Sequence, residues 1–207
     1  MLQTGIYPDF IVVDGNEGGT GAAPLEFMDH LGMPMREGLV FVNNALVGIG
    51  ARGRVRIGAA GKIATAFDMA RAMAIGADWC NSARGFMFAL GCIQSLSCHT
   101  DKCPTGVTTQ DLSRNRALVV PHKTERVYNY HHATLHALAE LIAAAGLDHP
   151  QDIRPIHFSQ RVSSTEVKSL AQLYPSLRPG ELLDGTEDIR FKEAWAMARA
   201  ESFAPAG

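Results

Sequence analysis

The sequence is poor in net charge and in long apolar runs, and each shortage excludes a class of protein. Its 19 Lys and Arg residues nearly balance 21 Asp and Glu residues, so the net charge of −2 gives no electrostatic reason to bind nucleic acid or an anionic membrane. No apolar run reaches the roughly 18 residues of a membrane-spanning helix. The start, MLQTGIYPDF, lacks the basic region and apolar core of a signal peptide, so we expect a cytoplasmic protein with no membrane segment.

Cysteines are also few, but three of the four lie close together. Cys92, Cys98 and Cys103 have the spacing C-x5-C-x4-C, and Pro104 follows. In a reducing compartment, closely spaced cysteines hold metal or do chemistry more often than they form disulfides. Thiolates are the usual ligands of iron–sulfur clusters, and three of them suit a cubane-type cluster that lacks one of its four irons. Zinc with His99 as a fourth ligand, or buried free cysteines, are the alternatives that the spacing leaves open.

Glycine is abundant in the first half, where strands, turns and helices alternate. The pattern predicts strands over residues 9–15, 54–62 and 77–85. Helices are predicted over 25–32, 37–53 and 65–77, and a helix or tight turn over 86–92. This alternation is typical of βα units that form a parallel sheet.

The composition changes near residues 105–125, which divides the chain into residues 1–104 and a mainly helical extension, residues 105–207. Apolar residues at helical spacing predict a long helix over 122–146. A shorter helical piece is predicted over 163–174, capped by Ser163 or Ser164 with Glu166 in its first turn. Three histidines of the long helix are expected to be solvated or packed rather than metal-bound: His131, His132 and His136.

Two glycine turns, GAAGK at 58–62 and NSARG at 81–85, each follow a predicted strand and precede a predicted helix. Backbone N–H groups at such turns bind anions. Two of them on adjacent strands are typical of the phosphate site of a (β/α)8 barrel, where Lys62 or Arg84 would add positive charge. The alternative is that the glycines only shape tight turns. The loop DGNEGGTGAAP at 14–24 follows the first strand, and its small residues would let a flat ligand approach the backbone, unless it too is only a turn.

The segments DFIVVDGNEGGTGAAPLEF and GKIATAFDMARAMAIGADWCNSARGFMFALGCIQSLSCHTDKCPTGVTTQ together resemble the synthase domain of glutamate synthase. The closer likeness is to the stand-alone FMN-binding glutamate synthase family of bacteria and archaea, over roughly residues 5 to 150. The resemblance implies an α/β fold made of the last three or so βα units of a (β/α)8 TIM barrel, followed by a cysteine-rich cluster loop and the helical extension.

The resemblance also implies two cofactors, FMN and a [3Fe-4S] cluster, with named binding residues. The cluster ligands would be Cys92, Cys98 and Cys103. The flavin would contact the first loop through Gly18, Gly19, Thr20 and Gly21, and the substrate would contact Glu17 and Gly18. The turns that hold the FMN phosphate would contribute Ala60, Gly61, Lys62, Ser82, Ala83, Arg84 and Gly85.

In this family reduced FMN supplies a hydride for the reductive amination of 2-oxoglutarate to glutamate, with ammonia that is free or derived from glutamine. The implied electron donor is ferredoxin or an NAD(P)H-linked subunit. Three βα units do not close an eight-stranded barrel, so we expect a fragment or subunit that needs the N-terminal part of the barrel, where the family's catalytic lysine lies. Two other functions stay open: a non-catalytic iron–sulfur electron-transfer module and a zinc-stabilised interaction domain.

Overall fold

The protein is an α/β protein whose first half alternates parallel strands with helices. The computed structural model describes residues 1–18, 24, 26–27, 30–202 and 204. The helices and strands of this part are β1 (Phe10–Asp14), α1 (Met35–Gly48), β2 (Arg56–Ala60), α2 (Ala66–Ala74), β3 (Trp79–Asn81), α3 (Arg84–Leu90), α4 (Leu112–Asn115), α5 (Val120–Ala144), β4 (Ser159–Arg161), β5 (Val167–Ser169), α6 (Leu170–Leu173), α7 (Glu181–Asp184) and α8 (Ile189–Met197). The predicted strands and the helices over 37–53, 65–77, 86–92 and 122–146 are therefore confirmed, with shifted ends. The helix predicted over 25–32 falls largely outside the described residues.

The parallel sheet has the strand order β1-β2-β3. Asp14 at the end of β1 pairs with Ala60 at the end of β2, and Ala60 pairs with Asn81 at the end of β3. The three strands therefore end level with one another, and the segments that follow them start side by side. This alignment brings the glycine turns of the sequence to one edge of the sheet.

One face of the sheet packs against α1 and α2 and forms the main core. Ile57 and Ala59 of β2 and Leu39 of α1 are fully buried in this cluster. Strand side chains alternate between faces, so the neighbouring residues of each strand point the other way. On that opposite face Phe10 is 58% exposed and Val12 is 41% exposed. The sheet is thus buried on one side only in the described part of the chain.

The amino ends of β2 and β3 are joined by the carboxylate of Asp78. It accepts hydrogen bonds from the backbone N–H of Ile57 at 2.7 Å, from Arg52 at 2.9 Å and from Arg56 at 3.1 Å. Arg52 also donates to the side chain of Asn43 and to two backbone carbonyls. This network fixes the edge of the sheet that lies opposite the glycine turns.

The helix predicted over 163–174 is wrong, because most of that segment forms a β-hairpin. Strands β4 and β5 pair antiparallel, and Val162 N–H donates to the Glu166 carbonyl at 3.0 Å across the turn. Ser163 Oγ accepts from the N–H groups of Thr165 and Glu166, so this serine stabilises a turn rather than capping a helix. The helix α6 begins only at Leu170, after a Ser169 cap.

The C-terminal residues fold back onto α1. The side chain of Asn44 is buried, donates to the Val40 carbonyl and accepts from the N–H of Leu177 at 2.8 Å. Leu182 packs so closely on Gly48 that a Cβ there would lie 2.5 Å from its Cγ. Among the described residues, the helices lack the combination of length and apolar character that crossing a membrane requires.

Candidate functional site

The turn between β2 and α2 has an unusual backbone at its start. Lys62 adopts a φ of 48°, in the left-handed region that non-glycine residues rarely occupy. Gly61 before it also has a positive φ, and a Cβ at this position would lie 2.5 Å from Cβ of Met35. Gly61 is therefore required both by conformation and by the close approach of α1.

The end of the same turn is closed by a capping box. The Asp68 carboxylate accepts from the N–H groups of Ala64 at 3.3 Å and Thr65 at 3.0 Å, and Thr65 Oγ1 accepts from the Asp68 N–H. These N–H groups are thus occupied within the protein. An anion at this turn would have to be met by the residues before Ala64, where Ala60, Gly61 and Lys62 lie.

The turn between β3 and α3 is tied to the first turn by a side chain. Ser82 Oγ donates to the Ile63 carbonyl at 2.7 Å. Ala83 is exposed, Arg84 is half-buried at the start of α3, and Gly85 is buried. The Ser82–Ile63 bond joins the two turns that carry the seven predicted phosphate-site residues, and it occupies the Ser82 hydroxyl.

Glu17 lies beside the first turn. Both oxygens of its carboxylate accept from the Met35 N–H, at 2.9 and 3.0 Å, so Glu17 caps the amino end of α1. A Cβ on Gly61 would lie 3.3 Å from Glu17 Cδ. Gly18 ends the short 3-10 turn that carries Glu17. The other predicted loop residues, Gly19, Thr20 and Gly21, lie outside the described residues.

A cavity of about 160 Å³ opens next to this turn. Arg36, Lys62, Arg71 and Tyr174 line it together with Glu17. The pKa of the Arg71 guanidinium is lowered, first by burial and then by the positive charge of Arg36. A larger cavity of about 390 Å³ lies at the amino end of the sheet, around the Arg52–Asp78 network. Three charged residues that line this larger cavity, Arg52, Arg56 and Asp78, are engaged in holding the strands.

The cysteine loop follows α3 directly and has a constrained backbone. The thiols of Cys92, Cys98 and Cys103 are free, the first two half-buried and the third buried. Three of the four non-glycine residues with positive φ in the described chain lie between them: Gln94, Leu96 and Asp101. Unusual conformations of this kind concentrate at functional sites. Asp101 also accepts from the Gln110 N–H at 2.7 Å, which folds the loop back on itself.

The thiol of Cys103 differs from that of Cys80, the fourth cysteine. Burial raises the pKa of Cys103, but hydrogen bonds from the Thr105 side chain and the Thr108 backbone outweigh burial and lower the pKa to about 6. Burial, together with the charge of Asp68, raises the pKa of Cys80 to about 12. The hydroxyl oxygen of Thr108 is itself buried and has no hydrogen-bond partner among the described residues. The donor chemistry around Cys103 therefore fits a thiolate ligand.

The described structure does not assemble these ligands. No group of three or more His, Cys, Asp or Glu side chains in the described ranges is placed to hold a metal ion. The histidines of α5 are exposed, as expected: His132 stacks on Tyr128, and His136 lies 3.6 Å from Glu140.

Tyr130 lies within the predicted long helix, but the sequence pattern does not single it out as a site residue. The Tyr130 hydroxyl donates to the Ala64 carbonyl at 2.6 Å, 66 residues away. A tyrosine among the apolar positions of a helix is expected to be partly buried and to need a partner for its hydroxyl, and this much is visible in the sequence. Helical spacing does not name that partner, because it depends on how α5 crosses the two turns.

These features define an α/β protein in which two βα turns follow the carboxyl ends of adjacent parallel strands and a cysteine-rich loop follows α3. The chain belongs to the glutamate synthase family, because residues 3–148 match the model of the conserved region in glutamate synthase. This range contains every predicted site residue, and it confirms the family that the sequence resembles.

Individual relatives agree with this assignment. The chain is 45% identical over 160 residues to the glutamate synthase large subunit-like protein YerD of Bacillus subtilis (strain 168), which covers 77% of this chain and 30% of the relative. It is 36% identical over 146 residues to the archaeal glutamate synthase (NADPH) of Methanocaldococcus jannaschii, and this alignment covers 70% of this chain and 29% of the relative. It is 35% identical over 146 residues to the ferredoxin-dependent glutamate synthase 2 of Synechocystis sp., and this alignment covers 70% of this chain and 9% of the relative. The chain thus spans less than a third of the length of each of these relatives.

Proposed function

We propose that this chain is the C-terminal part of a glutamate synthase barrel and that it binds the phosphate of FMN between the turns after β2 and β3. The observation that carries the proposal is the joining of these two turns by the Ser82–Ile63 hydrogen bond of 2.7 Å at the carboxyl edge of the sheet. Paired βα turns at this edge bind phosphate in many (β/α)8 barrels. We choose FMN as the phosphate-bearing ligand because the chain belongs to the glutamate synthase family.

The proposed site divides its tasks among its residues. Gly61 lets the backbone approach the phosphate, while Lys62 and Arg84 offset its charge. Ala60, Ser82, Ala83 and Gly85 complete the two turns. Glu17 and Gly18 would bind 2-oxoglutarate, and Gly18, Gly19, Thr20 and Gly21 would bind the flavin. FMN, when bound, supplies the hydride that converts 2-oxoglutarate and ammonia to glutamate.

The cysteine loop is proposed to hold a [3Fe-4S] cluster through Cys92, Cys98 and Cys103. A thiol pKa of about 6 keeps Cys103 largely deprotonated at neutral pH, as a metal ligand requires. The cluster, when bound, supplies single electrons to the flavin. The names of the relatives mention NADPH and ferredoxin, so we propose ferredoxin or an NAD(P)H-linked subunit as the electron donor, in the cytoplasm.

The exposed sheet face is the proposed position of the rest of the barrel. Phe10 and Val12 present apolar surface that the interior of a closed barrel would bury. The remaining strands, together with the catalytic lysine implied by the family, would come from polypeptide outside these 207 residues.

Anaerobic purification followed by absorption and electron paramagnetic resonance spectroscopy tests the proposal. We expect about one flavin per chain and an oxidised three-iron signal. Arg84→Gln should lower the flavin content, whereas Arg54→Gln, at the amino edge of the sheet, should not. Cys103→Ser should remove the iron signal and keep the flavin. Iron without flavin would favour the electron-transfer module, and a colourless zinc protein would contradict both functions.

A further inference from the structure

The Tyr130 hydroxyl is the point where helix α5 meets both turns. It donates to the Ala64 carbonyl at 2.6 Å and lies 3.3 Å from Ser82 Oγ. Ser82 Oγ in turn donates to the Ile63 carbonyl at 2.7 Å. Two hydroxyls from different elements therefore hold consecutive carbonyls of the first turn.

The same two peptide groups are also held at their other ends. The peptides that carry the Ile63 and Ala64 carbonyls end in the N–H groups of Ala64 and Thr65, and both of these donate to Asp68. A peptide group bound at both its carbonyl and its N–H does not rotate without breaking a hydrogen bond. Residues 63–65 thus form a rigid base for the Gly61–Lys62 end of the turn.

The second turn is shaped to receive the phenol. Gly85 at the start of α3 faces Tyr130 so closely that a Cβ would overlap the hydroxyl and lie 2.6 Å from Cζ. The neighbouring Phe86 ring meets the Tyr130 ring edge to face, with centroids 5.2 Å apart. The phenol therefore fills a space bounded by both turns and by α3.

We propose that Tyr130 is a positioning residue whose hydroxyl locks the turns after β2 and β3 into one rigid unit. The locking is a property of this chain alone, and its effect on flavin affinity rests on the function proposed above. Without the hydroxyl, the ring still packs on Gly85 and Phe86, but the Ala64 carbonyl loses its bond to α5, and the Ser82 bond alone then ties the first turn to the second. The two turns would then move independently, and a phosphate between them would be held less tightly.

Hydrogen–deuterium exchange of the 207-residue chain tests the locking without any ligand. Tyr130→Phe removes the hydroxyl and keeps the ring against Phe86. We expect amides of residues 61–65 and 82–85 to exchange about tenfold faster together.

Ser82→Ala removes the hydroxyl of the second turn and should give the same response. A folding defect in one variant therefore does not decide the result. Tyr128→Phe, which removes an exposed hydroxyl from the same helix, should change neither turn. Unchanged exchange in both turns of Tyr130→Phe would overturn the locking.

Flavin binding tests the consequence, with FMN and riboflavin as probes because they differ only by the phosphate. Tyr130→Phe should weaken FMN about tenfold and leave riboflavin unchanged, since only the phosphate contacts the turns. A general loss of structure would weaken both flavins, and FMN affinity equal to that of wild type would overturn the role of Tyr130. If wild-type protein binds FMN no more tightly than riboflavin, the proposed phosphate site is wrong, while the exchange result still decides the locking.

Discussion

At the scale of single residues, the site depends on glycines that make room for neighbouring side chains. Gly85 is buried against Tyr130 and also lies close to Ser82, whose Oγ would be 2.7 Å from an added Cβ. Gly53 offers a matched contrast, because a Cβ there meets no atom within 4 Å and its backbone is not in the left-handed region. The two glycines therefore separate crowding from the general effect of replacing glycine.

We predict that Gly85→Ala lowers the free energy of unfolding by about 2 kcal/mol, because the new methyl group overpacks a filled site. Gly53→Ala should change it by less than about 0.5 kcal/mol. Urea denaturation followed by circular dichroism measures both. Equal effects of the two substitutions would contradict this prediction, because they would show that Tyr130 moves away from the new methyl group without destabilising the protein.

The residue scale also shows what the sequence predicts well. Glycines after apolar strands identified both turns, and three close cysteines identified a distinct loop, because these signals are local. The Tyr130–Ala64 bond spans 66 residues and depends on the packing of α5, so no local pattern contains it. The role of Glu17 as a cap on α1 was missed for the same reason.

At the scale of elements, side chains that cap the helix ends determine where the helices begin. Helix α8 begins after Asp188, whose carboxylate accepts from the Arg190 backbone N–H at 3.0 Å and from the Arg190 guanidinium. Arg190 also donates to the Pro175 carbonyl at 3.1 Å, so the pair ties α8 to the preceding loop. The Arg190 hydrogen bonds hold the pKa of Asp188 below its ordinary value.

This lowered pKa predicts a pH dependence of stability. A carboxyl group with a depressed folded-state pKa stabilises the protein above its unfolded pKa of about 3.9 and loses that contribution as pH falls through the folded value. Asp188→Asn should therefore flatten the fall in stability below about pH 4. Thermal unfolding across this range measures the effect. Glu187→Gln, an exposed neighbour, is the control, and identical profiles for the two variants would contradict the prediction.

Element prediction succeeded where one periodicity was unambiguous. The strands around Ile57 and the long helix α5 have clear patterns, and both form as expected. The segment 163–174 failed because its apolar residues suit a short helix while Ser163 and Thr165 form a hairpin turn instead. Pairing with β4 supplies the hydrogen bonds that decide the conformation, and β4 was not visible as a strand.

At the scale of the whole molecule, the described residues cover the sheet on one face only. Phe10 and Val12 are exposed on the other face, and Phe10 meets Trp79 edge to face with ring centroids 5.6 Å apart. Exposed apolar surface beside an edge strand favours association. The number of βα units was predictable from the sequence, but the extent of this uncovered face is visible only in the structure.

We predict that the isolated chain self-associates through this face as its concentration rises. Val12→Lys should shift the weight-average mass in analytical ultracentrifugation toward the monomer, because burying an unpaired lysine is unfavourable. Ile189→Lys replaces an apolar residue that is 76% exposed on α8 and should leave the mass unchanged. A monomeric wild-type chain at all concentrations would contradict this prediction.

The central claim is that FMN phosphate binds between the turns after β2 and β3. Amide chemical shifts in nuclear magnetic resonance spectra, recorded as FMN is added to the chain, test it most directly. We predict shifts at Gly61, Lys62, Arg84 and Gly85 that riboflavin does not reproduce, and none around Asp78 at the opposite edge of the sheet. Shifts centred on Asp78, or identical shifts with riboflavin, would contradict the claim.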